Sequence, residues 1–124
     1  MYGLLGKSLS HSLSPRVHKL FGNSDYELIE TDDPVTVLAK KKFSGINVTI
    51  PYKETVLSFL DGLDEVAKKT GSVNTIINRS GILFGYNTDY FGIKSAFEHA
   101  GVDPSGKSIV IIGNGGAAKT VETY

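Results

Sequence analysis

Residues 46–53 read Ile-Asn-Val-Thr-Ile-Pro-Tyr-Lys. Apolar and polar residues alternate, so Ile46, Val48 and Ile50 share one face of a strand and Asn47 and Thr49 the other. Pro51 has no N–H for a central ladder and ends the strand. Lys53 is then presented just beyond a strand end, where open α/β sheets usually hold their ligands. A lysine there, beside apolar walls, can be tuned to hold or release a proton near neutral pH. The same letters also suit an ordinary strand end followed by a solvated lysine.

Outward from this stretch, strand and helix signals alternate, the pattern of an α/β fold. Upstream lie a strand over 2–5, a helix with Ser14 as N-cap and Pro15 as first residue, a strand over 26–30 and a helix opened by Asp33-Pro34. Val17, Leu20 and Phe21 give the first helix an apolar stripe. Downstream, 54–60 and 64–69 read as short helices split by Gly62, and 73–77 and 82–86 as strands joined at Arg79-Ser80-Gly81. A helix over 89–100 carries Phe91, Ile93, Ala96 and Phe97 and stops at Gly101. After the Asp103-Pro104-Ser105-Gly106 linker, 109–112 reads as a buried strand and Ala117 as the start of a helix.

The composition bounds the chemistry. Of 124 residues, 40% are apolar and 21% charged, a soluble globular balance with room for one sizeable core. Thirteen basic residues offset 13 acidic ones, which speaks against a broad footprint for nucleic acid or an anionic membrane. The Lys40-Lys41-Lys42 run suits a solvated helix end. Without cysteine there is no disulfide, thiolate metal site or cysteine nucleophile. The three histidines show no metal-ligand spacing; His11 adjoins a serine pair and could line a pocket, while His18 and His99 read as helix-surface residues. No apolar run reaches the roughly 20 residues of a membrane helix, and the first residues do not read as a secretory signal. A cytoplasmic protein is expected.

Four constellations could carry chemistry. Ser12 and Ser14, at the mouth of a helix, could clamp a carboxylate or phosphate with the help of free backbone N–H groups, or could simply cap the helix. In Gly71-Ser72-Val73-Asn74-Thr75, Asn74 offers a donor and an acceptor beside a strand. In Gly85-Tyr86-Asn87-Thr88-Asp89, Asp89 either caps the next helix or partners Lys53; an aspartate near that lysine favours its ammonium form. Finally, Gly113-x-Gly115-x-x-Ala118 follows an apolar strand and precedes a helix, as in a dinucleotide fingerprint. Gly113, Lys119 and Thr120 also have the spacing of a Walker A loop, but Ala118 stands where that motif needs glycine.

The ordered set Ser-x-Ser-Pro, NVTIPYK, GSVNT, GYNTD and GNGGAAK, from Tyr2 to the last residue, resembles the shikimate dehydrogenase family. The resemblance implies a substrate domain with a mostly parallel sheet and helices on both faces, here 1–102. A linker and the start of a Rossmann-type NADP domain would occupy 103–124. The implied reaction is reversible reduction of 3-dehydroshikimate to shikimate by NADPH, in aromatic amino acid biosynthesis, with no metal. Ser12 and Ser14 would hold the substrate carboxylate. Thr49, Asn74 and Asp89 would bind ring hydroxyls, with Asn47 in support. Lys53, oriented by Asp89, would face the reacting oxygen. Gly113, Asn114, Gly115, Gly116 and Ala117 would cradle the NADP pyrophosphate.

Only nine residues follow Gly115. The resemblance therefore suggests a shortened piece that should not turn over by itself. Its 109–112 strand, without neighbours, should be displaced, pair with another copy, or pack back on its own domain. Two other readings compete. A noncatalytic shikimate-binding or sensory module would keep the pocket without the redox half. A P-loop nucleotide-binding protein would depend on Lys119 and leave Ser12, Lys53 and Asp89 unexplained.

Overall fold

The computed structural model describes residues 1–124. Its elements follow the alternation in the chain: β1 (Tyr2–Gly6), α1 (Ser14–Leu20), β2 (Tyr26–Glu30), α2 (Pro34–Lys40) and β3 (Gly45–Val48) come first. A 3-10 turn (Thr55–Phe59), β4 (Gly62–Leu63), α3 (Glu65–Thr70), β5 (Thr75–Arg79), β6 (Ile82–Tyr86), α4 (Asp89–Ala100) and α5 (Gly116–Thr123) follow. The six strands form one sheet in the order β2-β1-β3-β5-β6-β4. Only β5 runs antiparallel to its neighbours; the β1–β2, β1–β3 and β4–β6 pairs are parallel.

This order places the site. The chain passes from β1 through α1 to β2 on one side, then through α2 to β3 on the other side of β1. Connections that diverge from adjacent parallel strands leave a crevice beyond their carboxyl ends. The serine loop leaves β1 there, and Thr49 to Lys53 leave β3 there. The core beneath is continuous: Leu5, Ile46, Val48, Val56, Val73, Ile76 and Leu83 are buried together.

Local signals explain most boundaries. Asp33 caps α2 by accepting from the Thr36 N–H at 3.1 Å, and Asp64 caps α3 by accepting from Ala67 at 2.7 Å. The β5–β6 turn places Ser80 and Gly81 at φ 53° and 90°, as a two-residue primed turn requires.

Several expectations fail locally. Ser14 does not cap α1; Leu13 is the N-cap and Ser14 is already helical. Ser12 takes over part of the role, its Oγ accepting from the Ser14 N–H at 3.2 Å. The α1 stripe is not buried: Leu20 and Phe21 are 82% and 84% exposed, because the helix packs on β2 through other contacts. His18 is not a free surface residue but stacks on Tyr26, with ring centroids 3.7 Å apart. Strand β3 stops at Val48, so Ile50 leaves the core face and is 77% exposed. The helix expected over 54–60 is a 3-10 turn, and Gly62 begins a short strand, not a mere break. A side chain on Gly62 would meet the Phe84 ring at 2.4 Å, so any other residue there would have to push that ring aside to keep the pairing with β6.

Residues 109–112 form no strand. A strand needs a ladder partner for its N–H and C=O groups, and the six-stranded sheet does not pair with this segment. Val110 and Ile112 are 87% and 97% exposed. Beyond them, α5 packs back against α3 and α4. The apolar stripe of α4 has no buried residue; it meets the chain end, where Phe97 stacks on Tyr124 at 5.3 Å. No helix is long and apolar enough to cross a membrane.

Candidate active site

Beyond the ends of β1 and β3 lies a cleft of about 480 Å³. Ser8, Ser10, Ser12 and Ser14 line one side, and Asn47, Thr49, Lys53, Asn74 and Asp89 the other. The serine loop is pinned by the Leu9 N–H, which donates to Glu30 Oε2 at 2.6 Å. Ser12 Oγ donates to Ser14 Oγ at 3.2 Å, so the two hydroxyls face one region.

Lys53 and Asp89, 36 residues apart in sequence, meet: Lys53 Nζ donates to Asp89 Oδ2 at 2.5 Å. Their side chains are 16% and 34% exposed, a wall position rather than a solvated pair. The other oxygen, Asp89 Oδ1, accepts from Asn74 Nδ2 at 2.8 Å. Asn74 is itself fixed, its Oδ1 accepting from the Thr88 N–H at 3.0 Å and from Thr75 Oγ1 at 3.1 Å. The carboxylate thus has a donor on each oxygen. Lys53, with three N–H donors, spends one of them on Asp89.

Asn47 is held by a second run of bonds. Tyr26 Oη donates to Asn47 Oδ1 at 2.7 Å, and Asn47 Nδ2 donates to Thr75 Oγ1 at 3.1 Å. Burial pushes the Tyr26 hydroxyl up to about 12, so it remains a donor through the ordinary pH range. The linkage has a definite sign. An acid whose pKa is raised on folding holds its proton in the folded state when the unfolded chain has lost it. Stability tied to Tyr26 is therefore complete below about pH 10 and declines as pH rises towards about 12. Thermal unfolding of Tyr26→Phe is expected to lack that part of the alkaline decline. A variant with the wild-type alkaline slope would refute it.

A second cleft, about 540 Å³, lies beside the first. It is lined by Ile50, Pro51, Ile112, Gly113, Gly115 and Gly116 among others, and Thr49 and Lys53 line both clefts. Gly113 adopts φ 127°, a region closed to most side chains. Space is open around the Cα of Gly113 and Gly115, where an added Cβ would meet nothing within 4 Å. The first N–H groups of α5 have no intrahelical partner and start at this loop. Open backbone and free helix-end donors suit an anionic group. Asn114 is outside the lining residues. The Walker reading does not fit: Lys119 Nζ is paired with Glu54 at 2.5 Å, and Thr120 is fully buried.

Sequence reading brought Ser12, Ser14, Thr49, Lys53, Asn74 and Asp89 to one cleft, and they do line it. It missed Ser8 and Ser10, although serine at every second position from 8 to 14 was a visible signal. It also gave no role to Tyr26, for which no local pattern existed, or to Asn87, which it quoted only as part of the 85–89 motif.

The chain matches the model of the shikimate dehydrogenase substrate binding domain over residues 4–76. It is 41% identical to a shikimate dehydrogenase (NADP(+)) of Clostridium beijerinckii over 99% of this chain and 49% of that protein. Among solved structures, shikimate dehydrogenase 1 from Peptoclostridium difficile superposes with a TM-score of 0.93 at 44% identity, over 99% of this chain and 49% of that one. The enzyme from Thermus thermophilus, solved in complex with shikimate, gives 0.83 at 33% identity, over 98% of this chain and 50% of that one. The chain spans about half the length of these relatives. With the family model matching more than half of it, the chain belongs to the shikimate dehydrogenase substrate-binding-domain family.

Proposed function

We propose that the first cleft binds shikimate and 3-dehydroshikimate, and that the whole protein interconverts them with NADP and NADPH in the cytoplasm. The observation that carries this reading is the position of Lys53: one amine, hydrogen-bonded to Asp89, lines both the serine cleft and the glycine-loop cleft. A substrate in one cleft and a hydride donor in the other would meet beside it. Relatives named shikimate dehydrogenase (NADP(+)), and one solved with NADP(H) and shikimate, lend support. Residues 1–102 would be the substrate unit and 103–124 a linker and the start of the cofactor unit.

The residues then divide the work. The hydroxyls of Ser12 and Ser14 receive the substrate carboxylate. Thr49, Asn74 and Asp89 engage ring hydroxyls, Asp89 with both oxygens already oriented by Lys53 and Asn74. Lys53 faces the C3 oxygen and donates the proton that converts it to a hydroxyl, stabilising the negative charge that gathers there. Gly113 and Gly115 to Ala117 offer backbone donors to the pyrophosphate. NADPH, when bound, supplies the hydride.

Titrating shikimate into this chain by calorimetry is expected to show one saturable site. In Asp89→Ala the affinity should fall by up to about 100-fold, since the ring hydroxyls lose a charged acceptor worth about 1.5–3 kcal/mol. A wild-type chain that takes up no shikimate would overturn the reading.

A further inference from the structure

The GYNTD and GNGGAAKT segments are joined by a buried bond that the proposed chemistry does not use. Asn87 and Thr120 are both fully buried and lie 33 residues apart. Asn87 Nδ2 donates to Thr120 Oγ1 at 3.0 Å, and also reaches Thr70 Oγ1 and the Ser72 carbonyl at 3.0 Å. Thr120 Oγ1 sends its own proton to the Gly116 carbonyl at 2.8 Å, leaving a lone pair for Asn87. At its other end the carboxamide Oδ1 accepts the Asp89 N–H at 3.1 Å. One side chain therefore spans from the first residue of α4, which carries the site carboxylate, to the middle of α5.

The helix start is seated just as closely. A Cβ on Gly116 would lie 2.4 Å from Ser72 Oγ and 3.1 Å from Lys53 Cβ. Ser72 Oγ is buried there without a hydrogen-bond partner. A second tie, Lys119 to Glu54, is about two-fifths exposed on both sides, a setting in which ion pairs contribute little. The Asn87–Thr120 bond is dry: the Asn87 amide keeps Thr70 and Ser72 as acceptors without it, so what its loss removes is the buried hydrogen bond that ties α5 itself.

We propose that Asn87 and Thr120 are positioning residues that dock the glycine-loop helix α5 onto the wall carrying Lys53 and Asp89. Ligand in the first cleft and docking of α5 are thereby coupled. The ligand part rests on the reading of that cleft as a shikimate site. A ligand that steadies Lys53 and Asp89 steadies the surface on which Gly116 sits, and linkage makes the effect reciprocal.

Thr120 lines neither cleft, so its variants test the seat without touching the ligand. Thr120→Val keeps the shape and removes the acceptor, whereas Thr120→Ser keeps it. Amide hydrogen exchange over 119–123 is read in this chain with and without shikimate. Without ligand, Thr120→Val is expected to exchange about tenfold faster there than wild type or Thr120→Ser. Saturating shikimate should slow wild type and Thr120→Ser by about fivefold or more, but not Thr120→Val, whose shikimate Kd rises by no more than that factor. A purely structural role would speed exchange with and without ligand alike and leave the ligand-induced slowing intact. Slowing that persists in Thr120→Val, or is missing in a wild type that binds shikimate, overturns the coupling. If wild type binds none, the shikimate reading itself fails, and the seat stands or falls on ligand-free exchange: amides no faster in Thr120→Val than in Thr120→Ser overturn it.

Discussion

Replacing Lys53 with alanine in a complete dehydrogenase is expected to lower kcat by about 10²–10⁴-fold, the range associated with loss of a positioned general acid. Shikimate binding to this chain should weaken much less, by about tenfold or under, the scale of one charge-assisted hydrogen bond. The asymmetry follows from the geometry. The Asn74 bond to Asp89, at 2.8 Å, does not depend on the amine, so the carboxylate should stay in place for the proposed contact with a ring hydroxyl. The serine loop is held separately, by the Leu9 N–H bond to Glu30. On the proposed chemistry, what disappears is the ammonium that would meet an oxygen gaining negative charge, an interaction stronger in the transition state than in the ground state. Lys53→Arg should not restore turnover, because a guanidinium neither fits the same space nor gives up a proton near neutrality. Steady-state kinetics beside calorimetry separate the two effects. A raised KM at unchanged kcat would mean that Lys53 only binds.

Much of the fold was legible because its signals are local. Asp33 and Asp64 sit where a cap needs them, Ser80-Gly81 is turn chemistry, and Asp89 to Ala100 is bounded by a helix start and Gly101. The cleft was legible for a related reason: the strand-end segments carry their polar residues in short runs, and an α/β sheet gathers strand ends on one side. Failures came where a partner decides the outcome. The 109–112 run has the composition of a buried strand, but composition does not supply a neighbouring ladder. The α1 and α4 stripes have helical spacing, yet neither helix has a buried residue, since periodicity tells which residues share a face and not what covers it. Asn87 and Thr120 were singled out only as letters in motifs; their meeting is a tertiary event across 33 residues. Lys119, a phosphate ligand only on the disfavoured Walker reading, is the partner of Glu54.

Asn74→Leu is expected to have the largest combined effect on folding and binding. Asn74 is 8% exposed and serves as the joint between β5, the start of α4 and the site carboxylate. Its Nδ2 donates to Thr88 Oγ1 and Asp89 Oδ1, both at 2.8 Å. Its Oδ1 accepts from the Thr88 N–H at 3.0 Å and from Thr75 Oγ1 at 3.1 Å. Leucine keeps the branching and the number of heavy atoms, though with more bulk, so the main loss is of polar satisfaction. The Thr88 N–H and Thr75 hydroxyl lose their acceptor, and one Asp89 oxygen loses its donor. At about 1–3 kcal/mol for each buried group left unpartnered, with relaxation and water recovering part, a destabilisation of about 3–5 kcal/mol is expected. Urea unfolding should show it as a lower midpoint with an unchanged slope. Thr75 also holds Asn47 through its hydroxyl, so the disturbance reaches the Tyr26 side of the cleft. Shikimate affinity, read under conditions where the variant is still folded, should then fall by about 100-fold or more, two charge-assisted bonds' worth. A variant that unfolds at the wild-type midpoint would show that water replaces these bonds freely, and that Asp89 is held by Lys53 alone.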